Sequence, residues 1–167
     1  MDLNGQQALG YTDQILSLRR LGDRWRAFGW HVAEVDGHDA EAVTRVVSQI
    51  RPDWIFHLAA YGAYSWQTDW EQMVQTNIQS TMSLLNASLQ TGFEAFVNTG
   101  SSSEYGFKDH APAESEPVEP NSHYAVTKAA ATMFCRYAAR NRRVHLPILR
   151  LYSVFGTYED PGWLSPI

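Results

Sequence analysis

Cysteine is all but absent: Cys135 is the only one in 167 residues. A lone thiol excludes an intrachain disulfide framework and fits a reducing compartment. Set in an apolar helical pattern, Cys135 reads as a small buried hydrophobe rather than a nucleophile. Long apolar runs are missing too, and none approaches the roughly 20 residues of a membrane span. The opening residues, Met1-Asp2-Leu3-Asn4-Gly5, carry neither the charged nor the apolar region of a signal peptide. These absences lead to the expectation of a cytoplasmic protein with no membrane partner. Positive charge is in deficit: the formal net charge is −5, which argues against a nucleic-acid partner held by phosphate neutralisation. No block of like charge is long enough to form a tail. The histidines, at 31, 38, 57, 110, 123 and 145, show no metal-ligand spacing with acids or with Cys135, so no metal is expected.

What is present is an alternation of strand and helix signals from about Trp30 onward. His31–Val35 reads as a short strand. Ala40 to Ile50 spaces Val43, Val46, Val47 and Ile50 as on a helix, and Pro52 ends it. Trp54–Leu58 is a buried strand. Thr68 or Asp69 caps a long helix that stops near Gly92, and Ala95–Thr99 is the next strand. Residues 108–122 are rich in proline, acid and serine and read as a surface loop. A second long helix runs from Ser122 to about Asn141, and Pro147–Leu151 is a final strand. Strands alternating with helices imply an α/β fold with a parallel sheet and helices on both faces. In such sheets ligands sit beyond the carboxyl ends of the strands. Ala59-Ala60, the serines from Ser101 and Tyr152-Ser153 all follow strand ends. Two further absences shape the expected fold. Gly5, Gly10, Gly22 and Gly29 lack the Gly-x-Gly-x-x-Gly spacing of a phosphate-cradling loop. The residues from Pro161 to Ile167 offer no element from which to build a substrate lobe.

The chemistry concentrates in Tyr124-Ala-Val-Thr-Lys128 and the upstream cluster Ser101-Ser102-Ser103-Glu104-Tyr105-Gly106. Residues four apart share a helix face, which sets Tyr124 beside Lys128. An ammonium beside a phenol favours the phenolate, so the tyrosine is expected to titrate below its usual value near 10 and to serve as a proton donor and acceptor. A tyrosine, a lysine and a nearby hydroxyl suggest proton transfer at an alcohol or carbonyl, the companion step to hydride transfer.

Over about residues 36–163 the chain resembles the extended short-chain dehydrogenase/reductase family, the NAD-dependent nucleotide-sugar epimerases and dehydratases. Ordered motifs carry the match: Asp36-Gly-His-Asp39, Arg51 to Ala60, Asn77 within Gln75–Leu85, Ser101 to Gly106, Tyr124 with Lys128, and Leu149 to Gly156. The resemblance implies a partial Rossmann-type domain over 41–167, lacking the first glycine-loop unit and the C-terminal substrate lobe. It implies that Tyr124 exchanges a proton with a sugar hydroxyl or ketone, that Ser101 bonds the same oxygen, and that Lys128 binds the nicotinamide ribose. NAD or NADP is the implied cofactor, met by Asp36 at the adenine and by Leu58, Ala59, Ala60, Asn77, Tyr124, Lys128 and Tyr152. The implied substrate is a nucleotide-diphosphate sugar, met by Ser102, Ser103 and Ser153, the last replacing the family's usual asparagine. Ser102 and Ser103 also stand where family dehydratases carry an acidic pair that eliminates water, so epimerase or ketoreductase chemistry is favoured over dehydration. A homodimer through the two long helices, Thr68–Gln90 and Ser122–Asn141, is a further implication.

The first 40 residues resemble a different family. Asp2 to Gly10 and Leu21 to Asp39 are similar to the N-terminal part of transketolases, where Asn4 would be a magnesium ligand for thiamine diphosphate. The other metal-binding segment of that family has no counterpart here, and hard cations need several oxygens in fixed geometry. A fusion is inferred within about residues 36–45. A catalytically inactive remnant of the reductase sheet is the alternative, and a thiamine enzyme the least favoured reading.

Overall fold

The structure, a computed structural model, describes residues 20–152 together with the backbone of residues 6–7 and 10–11. Strands β1 (Gln6–Gln7) and β2 (Gly10–Tyr11) pair antiparallel. Helix α1 spans Leu21–Ala27. Arg20 and Arg26 both pair with Asp23, at 2.8 and 3.1 Å. Exposed pairs at this spacing contribute only about 0.3–0.5 kcal/mol. The strand expected over His31–Val35 does not form. A strand needs a neighbour for its N–H and C=O groups, and in the described parallel sheet the first strand is the later Trp54–His57.

Val35–Tyr152 make one compact unit. Helix α2 (Ala40–Ile50) starts where the Asp39 carboxylate accepts the N–H groups of Glu41 and Ala42, both at 3.0 Å. It ends at Arg51, in the left-handed region ahead of Pro52. Strand β3 (Trp54–His57) follows. Asp69 then caps α3 (Trp70–Met73), which continues through a π-helical segment, Val74–Ser80, into α4 (Thr81–Thr91). Gly92, at φ 79°, stops it. Strand β4 (Ala95–Ser101) leads into a 3₁₀ turn, Ser102–Tyr105. Helix α5 (His123–Arg142) begins with the Ser122 hydroxyl accepting the Ala125 N–H at 3.1 Å, and β5 (Ile148–Leu151) closes the order.

The sheet is parallel in the order β3-β4-β5, with Ile55 beside Phe96 and Asn98 beside Ile148. Leu85 of α4 and Cys135 and Ala138 of α5 pack together on Ile55 and Phe96. Full burial of Phe96 contributes about 2–3 kcal/mol. Val43 and Val47 of α2 pack against Ala87 of α4. Cys135 is buried, as its pattern suggests, and burial pushes its thiol up to about 11, which leaves it inert. Of the two sheet faces expected to carry helices, α4 and α5 occupy this one. Trp54, Phe56, Leu149 and Leu151, which alternate to the other face, are exposed.

This arrangement brings the loop after β3, the 3₁₀ turn after β4 and Tyr152 after β5 to the carboxyl ends of the strands, where the α/β rule places a ligand.

Candidate active site

Ser101 ends β4 and caps the turn that follows. Its Oγ accepts the Ser103 N–H at 3.2 Å, while its own N–H donates to Glu104 Oε1 at 3.0 Å. The two bonds form a capping box, so the serine is held by its neighbours rather than by its own rotamer alone. Tyr124 lies in the first turn of α5, half-buried, and the Ser101 side chain is near enough to act on its phenol. Lys128 follows one helical turn later and is 4% exposed. Its Nζ donates to the Thr99 carbonyl at 2.6 Å. The structure thus brings together Ser101, Tyr124 and Lys128 around the end of β4.

Their electrostatics differ from the sequence expectation. Burial pushes the Tyr124 phenol above its ordinary value, the Ser101 side chain pulls it down, and the Glu104 carboxylate adds to the rise. Lys128 does not draw the phenol down, because its ammonium is turned to the Thr99 carbonyl and desolvation governs the tyrosine. Burial also lowers the Lys128 ammonium, with Glu104 and then Cys135 acting in the opposite sense.

Glu104 carries more of the site than its sequence position announces. It is fully buried, and Oε1 accepts the Ser101 N–H and the Thr132 hydroxyl at 3.0 and 2.9 Å. Oε2 accepts Arg150 Nε at 2.9 Å. Arg150 also donates to the Tyr105 hydroxyl at 2.8 Å and lies 4.6 Å over that ring. The one carboxylate beside the serines is thus committed to an ion pair. The sequence signal that could have located it is an acid in the turn after one strand and an arginine inside the next.

Asn77, read as a cofactor contact, has a different task. Its Oδ1 accepts the Tyr61 N–H at 2.9 Å, and Nδ2 donates to the Tyr61 carbonyl at 2.8 Å and to Thr127 Oγ1 at 2.9 Å. Both amide hydrogens are therefore spent, and a side chain 1% exposed has none left for a cofactor. Thr127 in turn donates to the Tyr124 carbonyl at 2.9 Å. Asn77 stands in the π-helical segment, a distortion that often marks functional positions. Gln67 Oε1 accepts the N–H groups of Gly62 and Tyr64, at 3.0 and 3.2 Å. The loop carrying Ala59 and Ala60 is thereby fixed just after those two residues.

The remaining candidates are dispersed. Leu58 is exposed and Ala59 and Ala60 are half-buried. Asp36 is exposed, accepts the His38 N–H at 2.9 Å and stands before α2, while His38 Nε2 lies 3.1 Å from Thr76 Oγ1. Ser102, Ser103 and the exposed Tyr152 line a cavity of about 460 Å³ with Phe107, Lys108 and Asn121. Ser153 and Asn4 lie outside the described residues. His57 is buried against Thr81 Oγ1 at 2.8 Å, as a satisfied core group. Among the described residues no three metal-ligating side chains cluster, and no helix is long and apolar enough to cross a membrane.

Comparison with known proteins gives the site its setting. The model of the NAD dependent epimerase/dehydratase family matches residues 6–165. An uncharacterized UDP-glucose epimerase of Bacillus subtilis is 32% identical over 111 residues, covering 65% of this chain and 35% of that protein. A dTDP-glucose 4,6-dehydratase of Streptomyces venezuelae, solved with NAD bound, is 30% identical at a TM-score of 0.69, covering 78% of this chain and 40% of that one. A 6-deoxy-6-sulfo-D-fructose transketolase subunit of a Clostridium species is 46% identical over 50 residues, which is 30% of this chain and 18% of that protein. The chain thus spans about a third of the length of the epimerase and less of the transketolase subunit.

Proposed function

The chain belongs to the NAD dependent epimerase/dehydratase family, a family of enzymes, and we propose that it carries the acid–base centre of an epimerase or ketoreductase acting on a nucleotide-diphosphate sugar. The observation that carries this reading is the convergence of Ser101, Tyr124 and Lys128 at the end of β4, with Lys128 buried one turn after Tyr124 and bonded to the Thr99 carbonyl. The Tyr124 phenol holds a proton that a sugar oxygen can take or return. The Ser101 hydroxyl is placed to hydrogen-bond that same oxygen and to share the charge that develops on it. A phenol kept protonated by burial is suited to donate first, toward a carbonyl oxygen.

The residues present fit the ribose end of a dinucleotide. Lys128 has donated one ammonium hydrogen to Thr99 and retains two more. Thr99 Oγ1 is buried with no hydrogen-bond partner among the described residues, and Ala59 and Ala60 are small. Lys128, Thr99, Ala59 and Ala60 would hold that end of NAD, with Asp36 toward the adenine and Tyr152 toward the nicotinamide. NAD supplies, when bound, the hydride exchange at the sugar carbon.

Epimerase or ketoreductase chemistry is favoured over dehydration by Glu104. Elimination of water needs a free acid or base beside the sugar. Ser102 and Ser103 offer none, and Glu104 is closed in its ion pair with Arg150. A second copy of the chain is the proposed partner, through the exposed Val126, Met133, Phe134 and Tyr137 of α5.

Titration with NADH tests the proposal. Quenching of tryptophan fluorescence at micromolar NADH is expected. No response at millimolar dinucleotide would overturn it.

A further inference from the structure

Resting on the catalytic reading above, we infer that the buried Glu104–Arg150 pair is the positioning element of the site: it fixes the Ser101 backbone and so sets the hydroxyl that meets Tyr124.

The pair draws on four parts of the fold. Glu104 comes from the 3₁₀ turn, Ser101 from β4, Thr132 from α5 and Arg150 from β5, and the carboxylate bonds to all three of the others. Arg150 closes the ring by donating to Tyr105 in the same turn. The approach is tight. A Cβ on Gly100 would stand 2.7 Å from Glu104 Oε1, so only glycine admits the carboxylate at that point. The Glu104 carbonyl also accepts the Glu119 N–H at 3.1 Å, which ties the loop to the same turn.

Stability alone does not account for such a pair. Desolvating two charges costs nearly what their attraction returns, and apolar pairs of like volume often serve as well. What apolar residues could not supply is the bond to the Ser101 N–H. The titratable and charged groups acting around Glu104 are Tyr105 from the turn, Tyr124, Lys128 and Cys135 from α5, and Arg150 from β5. Two of these form the proposed catalytic pair, so the carboxylate is tied to the serine by geometry and to Tyr124 and Lys128 by charge.

The test reads Tyr124 ionisation directly, by a pH titration of tyrosine-Cζ carbon-13 NMR signals in the full chain, with Tyr124→Phe giving the assignment. Ser101→Ala is introduced into the wild type and into the double replacement Glu104→Leu with Arg150→Met, which removes both charges of the pair together. Ser101→Ala should raise the Tyr124 midpoint in the wild type, because the Ser101 side chain pulls that phenol down. In the double replacement it should no longer move that midpoint. An equal rise in both backgrounds would overturn the positioning role while leaving the Ser101–Tyr124 pairing intact. No rise in the wild type would overturn the pairing itself, and the inference with it. If the double replacement does not fold, Arg150→Lys takes its place, keeping the charge but losing the fork that holds Tyr105. A smaller effect of Ser101→Ala is then expected, and an undiminished one overturns the inference.

Discussion

Asn77 pairs with both backbone polar groups of Tyr61, accepting its N–H at 2.9 Å and donating to its C=O at 2.8 Å. One side chain thereby fixes the loop that follows β3 and, through Thr127, the first turn of α5. Asn77→Ala removes three buried hydrogen bonds, two of them to the N–H and C=O of Tyr61. A loss of about 2–4 kcal/mol is expected, measurable by urea unfolding, with a larger fractional loss of NADH affinity than a remote variant of equal stability shows. Unfolding unchanged within about 0.5 kcal/mol would contradict the clamp.

Stability should fall with acid through His57. Burial first, and then the Lys128 charge, hold this imidazole down to about 4, against an ordinary 6.5. The folded state therefore binds fewer protons than the unfolded chain between those values, so stability rises with pH across that window. The contribution is fully present above pH 6.5 and is lost as pH falls toward 4, by roughly 3 kcal/mol at about 1.4 kcal/mol per pH unit. Urea midpoints at pH 7, 5.5 and 4 should decline in order, and His57→Gln should flatten the slope. A wild-type slope that His57→Gln leaves unaltered would place the effect elsewhere.

Gly106 is expected to tolerate no side chain. It sits at φ 72°, and an added Cβ would collide with the Glu119 carbonyl oxygen. Gly106→Ala should cost about 2–3 kcal/mol from the left-handed backbone and the clash together. Because the clash is with backbone, no rotamer relieves it. Thermal unfolding of this variant near wild type would show that residues 106–119 rearrange freely.

Exposed apolar side chains on α5 should bring two copies together. Tyr137→Glu places a charge at the centre of the Met133, Phe134 and Tyr137 surface. Sedimentation should show a dimer for the wild type and a monomer for the variant. A wild-type monomer at high micromolar concentration would remove this partner.

The sequence speaks most clearly where its signals are local. Asp69 and Ser122 announce helix starts by chemistry that acts within three residues, and Tyr124 and Lys128 share a face because helix geometry requires it. The Glu104–Arg150 pair joins positions 46 apart, and no periodicity reports it. Asn77 is visible as a polar residue in a helix, but its bond to Thr127 spans 50 positions. The Tyr124 expectation failed for a related reason. Spacing along one helix brought Lys128 near, but the Thr99 carbonyl that takes its ammonium comes from a strand 29 positions away. The segment His31–Val35 shows the converse, a local strand signal with no partner strand among the described residues.

Proton transfer by Tyr124 is the central claim, and turnover of the Tyr124→Phe variant tests it most directly. The wild-type chain and the variant are each incubated with NAD and UDP- or dTDP-linked glucose, and product is followed by chromatography. Loss of the phenol should cut conversion about 10²–10⁴-fold, while NADH affinity and far-ultraviolet circular dichroism stay at wild-type values. Conversion by Tyr124→Phe at the wild-type rate would contradict the account.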